Sequence, residues 1–134
     1  MNEDNTPIVS ATAQIAHAKY QTIVKSGGHT LIVDEPVDKH GADTGMSPYN
    51  LLLASLASCT IITLRMYIDR KMWIVDEIDI YLELFKKEGG VQVESKLTFK
   101  GELTDAQKKR LLTIADACPI HKILVGDVTI NNTL

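Results

Sequence analysis

The chain has 134 residues, of which 45% are hydrophobic and 23% charged, with a formal net charge of -3. That length fits a single domain, residues 1–134, built around one hydrophobic core. The mild acidity and the lack of any Lys/Arg cluster exclude the basic footprint of nucleic-acid binding.

The first residues, MNEDNTPIVS, are acidic and polar where a secretory signal is basic and then apolar, which predicts a cytoplasmic protein. A static disulfide is disfavoured in that compartment, so any bridge between the two cysteines, Cys59 and Cys118, would be transient and functional. From Ile8 to Glu35, β-branched and polar residues are broken by Ser26-Gly27-Gly28, a turn signal between two or three antiparallel strands. Pro36 to Gly45, PVDKHGADTG, reads as a surface loop.

Ser47 can cap a helix and Pro48 suits its first position, so the sequence predicts a helix from Pro48 to about Arg70. Between Leu51 and Leu64 it is apolar nearly all round. The run is short for a bilayer and carries Ser and Thr, so no membrane association is expected and the helix should lie in a core. A helix apolar on every side needs cover on every side, which favours a homodimer. Ala54, Ser55, Ala57 and Ser58 are small enough for close approach by a partner's backbone, or by this chain's own sheet.

Two strands with period-two patterns follow, Ile78, Ile80, Leu82 and Leu84 on one, then Val91, Val93, Leu97 and Phe99 after Gly89-Gly90. Glu77, Asp79, Tyr81 and Glu83 alternate with the first set, as on the solvated face of a half-covered sheet. Thr104 and Gln107 form a capping box for a second helix, whose buried face would use Leu111, Leu112 and Ile114. Pro119 to about Leu124 reads as a short helical turn and Asp127 to Thr133 as a final strand. The class is α+β, with antiparallel sheets around a long central helix.

Cys59, inside LLLASLASCTIITL, reads as buried. Cys118 precedes Pro119 at a helix start, where unpaired N–H groups lower a thiol pKa. His121 completes a Cys-x-x-His spacing that could take a metal with Cys59 as third ligand. Structural zinc takes four ligands, commonly with paired cysteines, so no metal is assigned. None of the phosphate-cradling glycine patterns is present, and no nucleotide or other cofactor is expected. Ser55 and Ser58 lack the strand-turn-helix setting of a serine nucleophile.

HTLIVDEP (His29 to Pro36), GMSPYNLLLASLASCTIITLRMYIDRKMW (Gly45 to Trp73) and GELTDAQKKRLLTIADACPIHKIL (Gly101 to Leu124) together resemble the OsmC/Ohr family of peroxide-reducing proteins. The resemblance is nearest to the OsmC-like branch that also occurs fused behind α/β-hydrolases. It implies an OsmC-like fold in which two subunits intertwine, with the active sites at their interface. It further implies that Cys59 is the peroxidatic thiol and Cys118 the resolving one. The substrate would then be an organic hydroperoxide or hydrogen peroxide, and an external dithiol would reduce the resulting disulfide.

The chain departs from the family pattern in two places. Family members pair the thiolate with an arginine from the N-terminal region, held by a glutamate in the first turn of the long helix. Here the first arginine is Arg65, six residues beyond Cys59 and about 240° around the helix. Asn50 follows Tyr49 where relatives carry an acid. His29, Lys19 or Lys25 are candidates for the positive charge, Asp34 for the orienting carboxylate, and Tyr49 and Asn50 for pocket residues. A second reading stays open, a dimeric small-molecule-binding or accessory protein with little catalytic power.

Overall fold

A computed structural model describes residues 5–134. The chain falls into two compact units, one ending at Leu52 and the other Leu53–Leu134.

The first unit holds a three-stranded antiparallel sheet in the order β1 (Ala11–Ile15), β2 (Thr22–Ser26), β3 (His29–Val33). Ser26 pairs with His29, so Gly27-Gly28 is a two-residue hairpin loop. Both glycines have positive φ, 58° and 78°, the backbone that matches such a loop to the twist of its strands. After β3 the chain makes one 3-10 turn, Val37–Lys39, and returns so that Met46 bridges in parallel to Val33.

Helix α1, Pro48–Lys71, starts as the local chemistry requires. Ser47 Oγ accepts from the Asn50 N–H at 3.2 Å and the Ser47 carbonyl from the Leu51 N–H at 2.8 Å. At the other end the Trp73 N–H donates to the Ile68 carbonyl and the Met72 N–H to that of Asp69, each at 3.1 Å, with Met72 left-handed at φ 57°. This is the Schellman closure of a helix, here built on methionine instead of glycine.

In the second unit, β4 (Val75–Lys87) and β5 (Gly90–Gly101) form an antiparallel ribbon. Its register sets Ile78 against Phe99, Ile80 against Leu97 and Leu84 against Val93. Glu77, Asp79, Tyr81 and Glu83 are exposed, and Glu77 pairs with Lys100 at 2.6 Å across the strands. Leu64 and Ile68 of α1, Val75 of β4 and Leu111 of α2 (Asp105–Ala115) make the buried core, with Trp73, Ile78, Leu97, Phe99 and Ile114 packed against it. The α2 capping box is present, Gln107 N–H to Thr104 Oγ1 at 3.1 Å and Thr104 N–H to Gln107 Oε1 at 2.8 Å. Helix α3 covers Pro119–Val125.

Three expectations need correction. Leu112 is 59% exposed, because Leu111, Ile114 and Ala115 share the inward face and Leu112 lies about 100° round from Leu111. Asp127 to Thr133 form no strand: no neighbouring strand among the described residues pairs with them, and Val128 and Ile130 stay exposed. Finally, the Leu51–Leu64 run reads as short for a bilayer, but the helix that contains it, Pro48–Lys71 and within one residue of the expected Pro48 to about Arg70, is not. At 24 residues it is long and apolar enough to cross a bilayer by composition. It nevertheless carries a buried stripe, Leu56, Thr60, Leu64 and Ile68, whose lower half packs in the core just described. That is the pattern of a core helix.

Candidate active site

The second unit brings the two thiols together. Cys59 projects from α1, and Cys118 stands immediately before α3. Local geometry delivers Cys118 there: the Ala117 N–H donates to the Ile114 carbonyl at 2.9 Å and the Cys118 N–H to that of Ala115 at 3.3 Å. Pro119 then opens α3, whose first carbonyl acceptor is that of Cys118, taking the Lys122 N–H at 3.1 Å. Both cysteines are free, and each thiol acts on the ionisation of the other.

Cys59 is less buried than the sequence reading had it. Cys118 is fully buried at 0%, whereas Cys59 is half-buried. Burial pushes the Cys59 thiol above its ordinary value, and the hydrogen bond and charge of Cys118 push it further. The Ile120 N–H and the Thr63 hydroxyl offset only part of this. Burial also acts upward on Cys118, but the Cys59 thiol, the His121 N–H, the Thr60 hydroxyl and the Ile120 N–H outweigh it and hold Cys118 below the usual value. The two N–H groups act on the sulfur without completing a capping bond. The pair therefore shifts in opposite senses, Cys118 losing its proton more readily than Cys59.

Arg65 takes no part. Its Nη1 donates to the Val75 carbonyl at 2.8 Å and lies 3.8 Å from Asp69 Oδ1. Among the described residues no three His, Cys, Asp or Glu side chains gather as a metal site, so Cys59, Cys118 and His121 do not form one.

The other candidates lie in the first unit. His29 is exposed at the start of β3, and Lys19 and Lys25 are exposed as well. Tyr49, 69% exposed, and Asn50 sit on the first turn of α1. Asp34 is almost wholly buried and anchors the loop after β3. Its Oδ1 accepts from the N–H groups of Glu35 at 2.7 Å, Tyr20 at 3.0 Å and Ala42 at 3.5 Å, and its Oδ2 from Thr44 Oγ1 at 2.5 Å and the Thr44 N–H at 3.1 Å. The Thr44 hydroxyl, chiefly, and these N–H groups hold the carboxylate far below its usual range despite burial. Gly41 lets the loop close over it, since a Cβ there would stand 2.0 Å from the Glu35 carbonyl oxygen.

Sequence reasoning missed Thr44, Thr60 and Thr63. Thr63 carried a signal, because a residue four positions on from a helical cysteine shares its face, whereas Thr60 lies about 100° round from it.

The profile of the OsmC-like proteins matches residues 41–132. The chain belongs to the OsmC-like protein family. No curated protein matches this OsmC-like chain. Among solved structures, the OsmC-like protein from Mycoplasma pneumoniae superposes with a TM-score of 0.76 at 18% identity, covering 94% of this chain and 90% of that one. An organic hydroperoxide resistance protein from Elizabethkingia anophelis gives 0.67 at 20% identity, with 93% of each chain covered. One from Legionella pneumophila gives 0.63 at 18% identity over 92% of this chain and 93% of that one. At these identities the likeness establishes a shared OsmC fold.

Proposed function

We propose that this OsmC-like protein is a cysteine-based peroxidase that reduces organic hydroperoxides or hydrogen peroxide in oxidative stress defence. The observation that carries the reading is the pair of free thiols, one half-buried and one fully buried, each acting on the ionisation of the other. Cys118 as thiolate takes the proton of Cys59, and the Cys59 sulfur attacks the distal oxygen of the peroxide. The O–O bond breaks, the alcohol or water leaves with a proton, and Cys59 becomes a sulfenic acid. Cys118 then condenses with it, releasing water and forming the disulfide. An external dithiol restores both thiols and is itself oxidised. The protein works as a cytoplasmic homodimer whose second subunit covers the apolar face of α1.

A specific observation favours a second reading, a binding or accessory protein of low activity. Arg65 is engaged with the Val75 carbonyl, and the Cys59 thiol is pushed above its ordinary value by burial and by Cys118.

A stoichiometric peroxide pulse followed by mass spectrometry separates the two. The peroxidase forms the Cys59–Cys118 disulfide within one turnover. Cys118→Ser then accumulates sulfenic and sulfinic acid on Cys59, while Cys59→Ser consumes no peroxide. Equal oxidation of both cysteines at the pace of a free thiol supports the binding protein.

A further inference from the structure

The first unit contains a cavity of its own. About 350 Å³ in volume, it is lined by Tyr20, Thr22 of β2, Val33 of β3, Asp34, Glu35, and Pro48 at the start of α1. Pockets that hold small molecules run from about 300 to 1,000 Å³, so the space suits a compact ligand.

The lining carries negative charge. Only donors face the Asp34 carboxyl: the N–H groups of Tyr20, Glu35, Ala42 and Thr44, and the Thr44 hydroxyl. That hydroxyl accepts from Gln21 Nε2 at 3.3 Å, which leaves its hydrogen for Asp34. A protonated acid needs an acceptor for its own hydrogen, so this geometry holds Asp34 as the carboxylate. Glu35 is half-buried and makes its hydrogen bonds through its backbone, its N–H to Asp34 Oδ1 at 2.7 Å and its carbonyl from the Asp43 N–H at 3.0 Å. The ion pairs among the described residues are Arg65 with Asp69 and Lys100 with Glu77, so no Lys, Arg or His side chain pairs with Asp34 or Glu35. Thr22 gives its hydroxyl hydrogen to the Tyr20 carbonyl at 3.0 Å, and its oxygen remains an acceptor.

The same lining decides which kind of cation suits it. Calcium and magnesium take about six or more oxygen ligands, whereas the Asp34 oxygens are engaged by five donors and Glu35 is the one carboxylate left to bind directly. An ammonium group asks for less: one carboxylate and an aromatic face, which attracts cations through its quadrupole. Val33 and Pro48 add apolar surface for a carbon skeleton.

We propose that this cavity binds a small organic ammonium compound, a primary amine with an apolar body, its charged head between Glu35 and the Tyr20 ring and its carbon skeleton on Val33 and Pro48. Asp34 contributes through its charge and Glu35 is the direct partner. The assignment uses neither thiol and stands whether or not they reduce peroxide.

The test is a titration of the isotope-labelled protein with benzylammonium chloride, and in parallel with benzyl alcohol as its uncharged counterpart, followed by amide NMR at Tyr20, Thr22, Val33, Asp34 and Glu35. Benzylammonium should shift these resonances saturably, with a Kd of about 1 mM for a probe of its size. Benzyl alcohol should bind at least about tenfold more weakly, since it makes no charge-assisted bond. Glu35→Gln keeps both backbone bonds of that residue and should weaken benzylammonium about tenfold. Tyr20→Leu keeps the N–H bond to Asp34 and should weaken it about two- to fivefold. Equal affinity for the alcohol, shifts that never saturate, or a folded Glu35→Gln that binds as the wild type does each overturn the proposal. Tighter binding of calcium chloride at the same amides overturns it as well. If Tyr20→Leu does not fold, Glu35→Gln decides. Saturable, charge-dependent binding in a protein that consumes no peroxide leaves this site standing and removes the peroxidase alone.

Discussion

Cys59 and Cys118 are shifted in opposite senses, the more accessible Cys59 thiol pushed up and the fully buried Cys118 thiol held down. A nucleophile at Cys59 must therefore either pass its proton to Cys118 or lose it to solvent. The two routes open at different pH. Stopped-flow rates of peroxide consumption should rise once below the ordinary thiol value of 9.0, as Cys118 ionises, level off, and rise again above it, as Cys59 ionises directly. In Cys118→Ser both upward influences of Cys118 are gone, and one limb should remain, lying below the upper limb of the wild type. A single limb in the wild type would break the assignment of Cys118 as proton acceptor.

Asp34 has a similarly directional consequence for stability. Its folded carboxyl lies far below the ordinary value of 3.8, so between those two values the unfolded chain binds the extra proton. Stability from this group is fully present above 3.8 and is lost as pH falls toward the folded value. Asp34→Asn replaces one acceptor oxygen with a donor facing N–H groups or the Thr44 hydroxyl. The variant should melt several degrees lower at neutral pH, and its stability should fall less steeply than the wild type's below that point. Chemical denaturation across an acid pH series measures both.

Local chemistry was legible in the chain, and features that depend on what packs against what were not. Ser47-Pro48 marked the start of α1, Gly27-Gly28 the hairpin and Thr104 with Gln107 the capping box, because each signal acts within four residues. Leu112 and the segment from Asp127 to Thr133 were misread, since outward rotation and the lack of a pairing strand are set by distant neighbours. The pairing of Cys59 with Cys118 was accessible only through family resemblance. The full burial of Cys118 was not legible, because it depends on how the α2–α3 turn seats, which its Pro119 neighbour does not reveal.

Met72 closes α1 in a left-handed conformation and is 86% exposed, so it has steric cost and little packing to lose. Met72→Gly removes the Cβ clash while adding some freedom to the unfolded chain. The net should be a stabilisation of about 0.5–1 kcal/mol, read from the midpoint of urea unfolding at unchanged slope. Met72→Val, with a β-branched side chain at the same φ, should shift the midpoint the other way.

Only 17% of the most apolar stretch of α1 is buried within the chain. Ile62 and Met66 are 53% and 61% exposed, and with Ile61, Arg65 and Ile78 they line an open groove of about 340 Å³. The uncovered helix is continuous with the thiol pair, since Cys59 and Thr63 stand on it. A second copy as the cover, which the proposed function requires, needs an interface of about 1,200–2,000 Å² of buried surface to be stable. The wild type should sediment as a dimer to low micromolar concentration, with dissociation and unfolding inseparable. Ile62→Glu places a charge against that face, where an unpaired carboxylate cannot be accommodated without protonation or separation. It should lower the dimer fraction and the melting temperature together, and its loss of stability should lessen as protein concentration rises. A well-folded wild-type monomer in analytical ultracentrifugation at low micromolar concentration, with Ile62→Glu unchanged in stability, would remove the second subunit from the site.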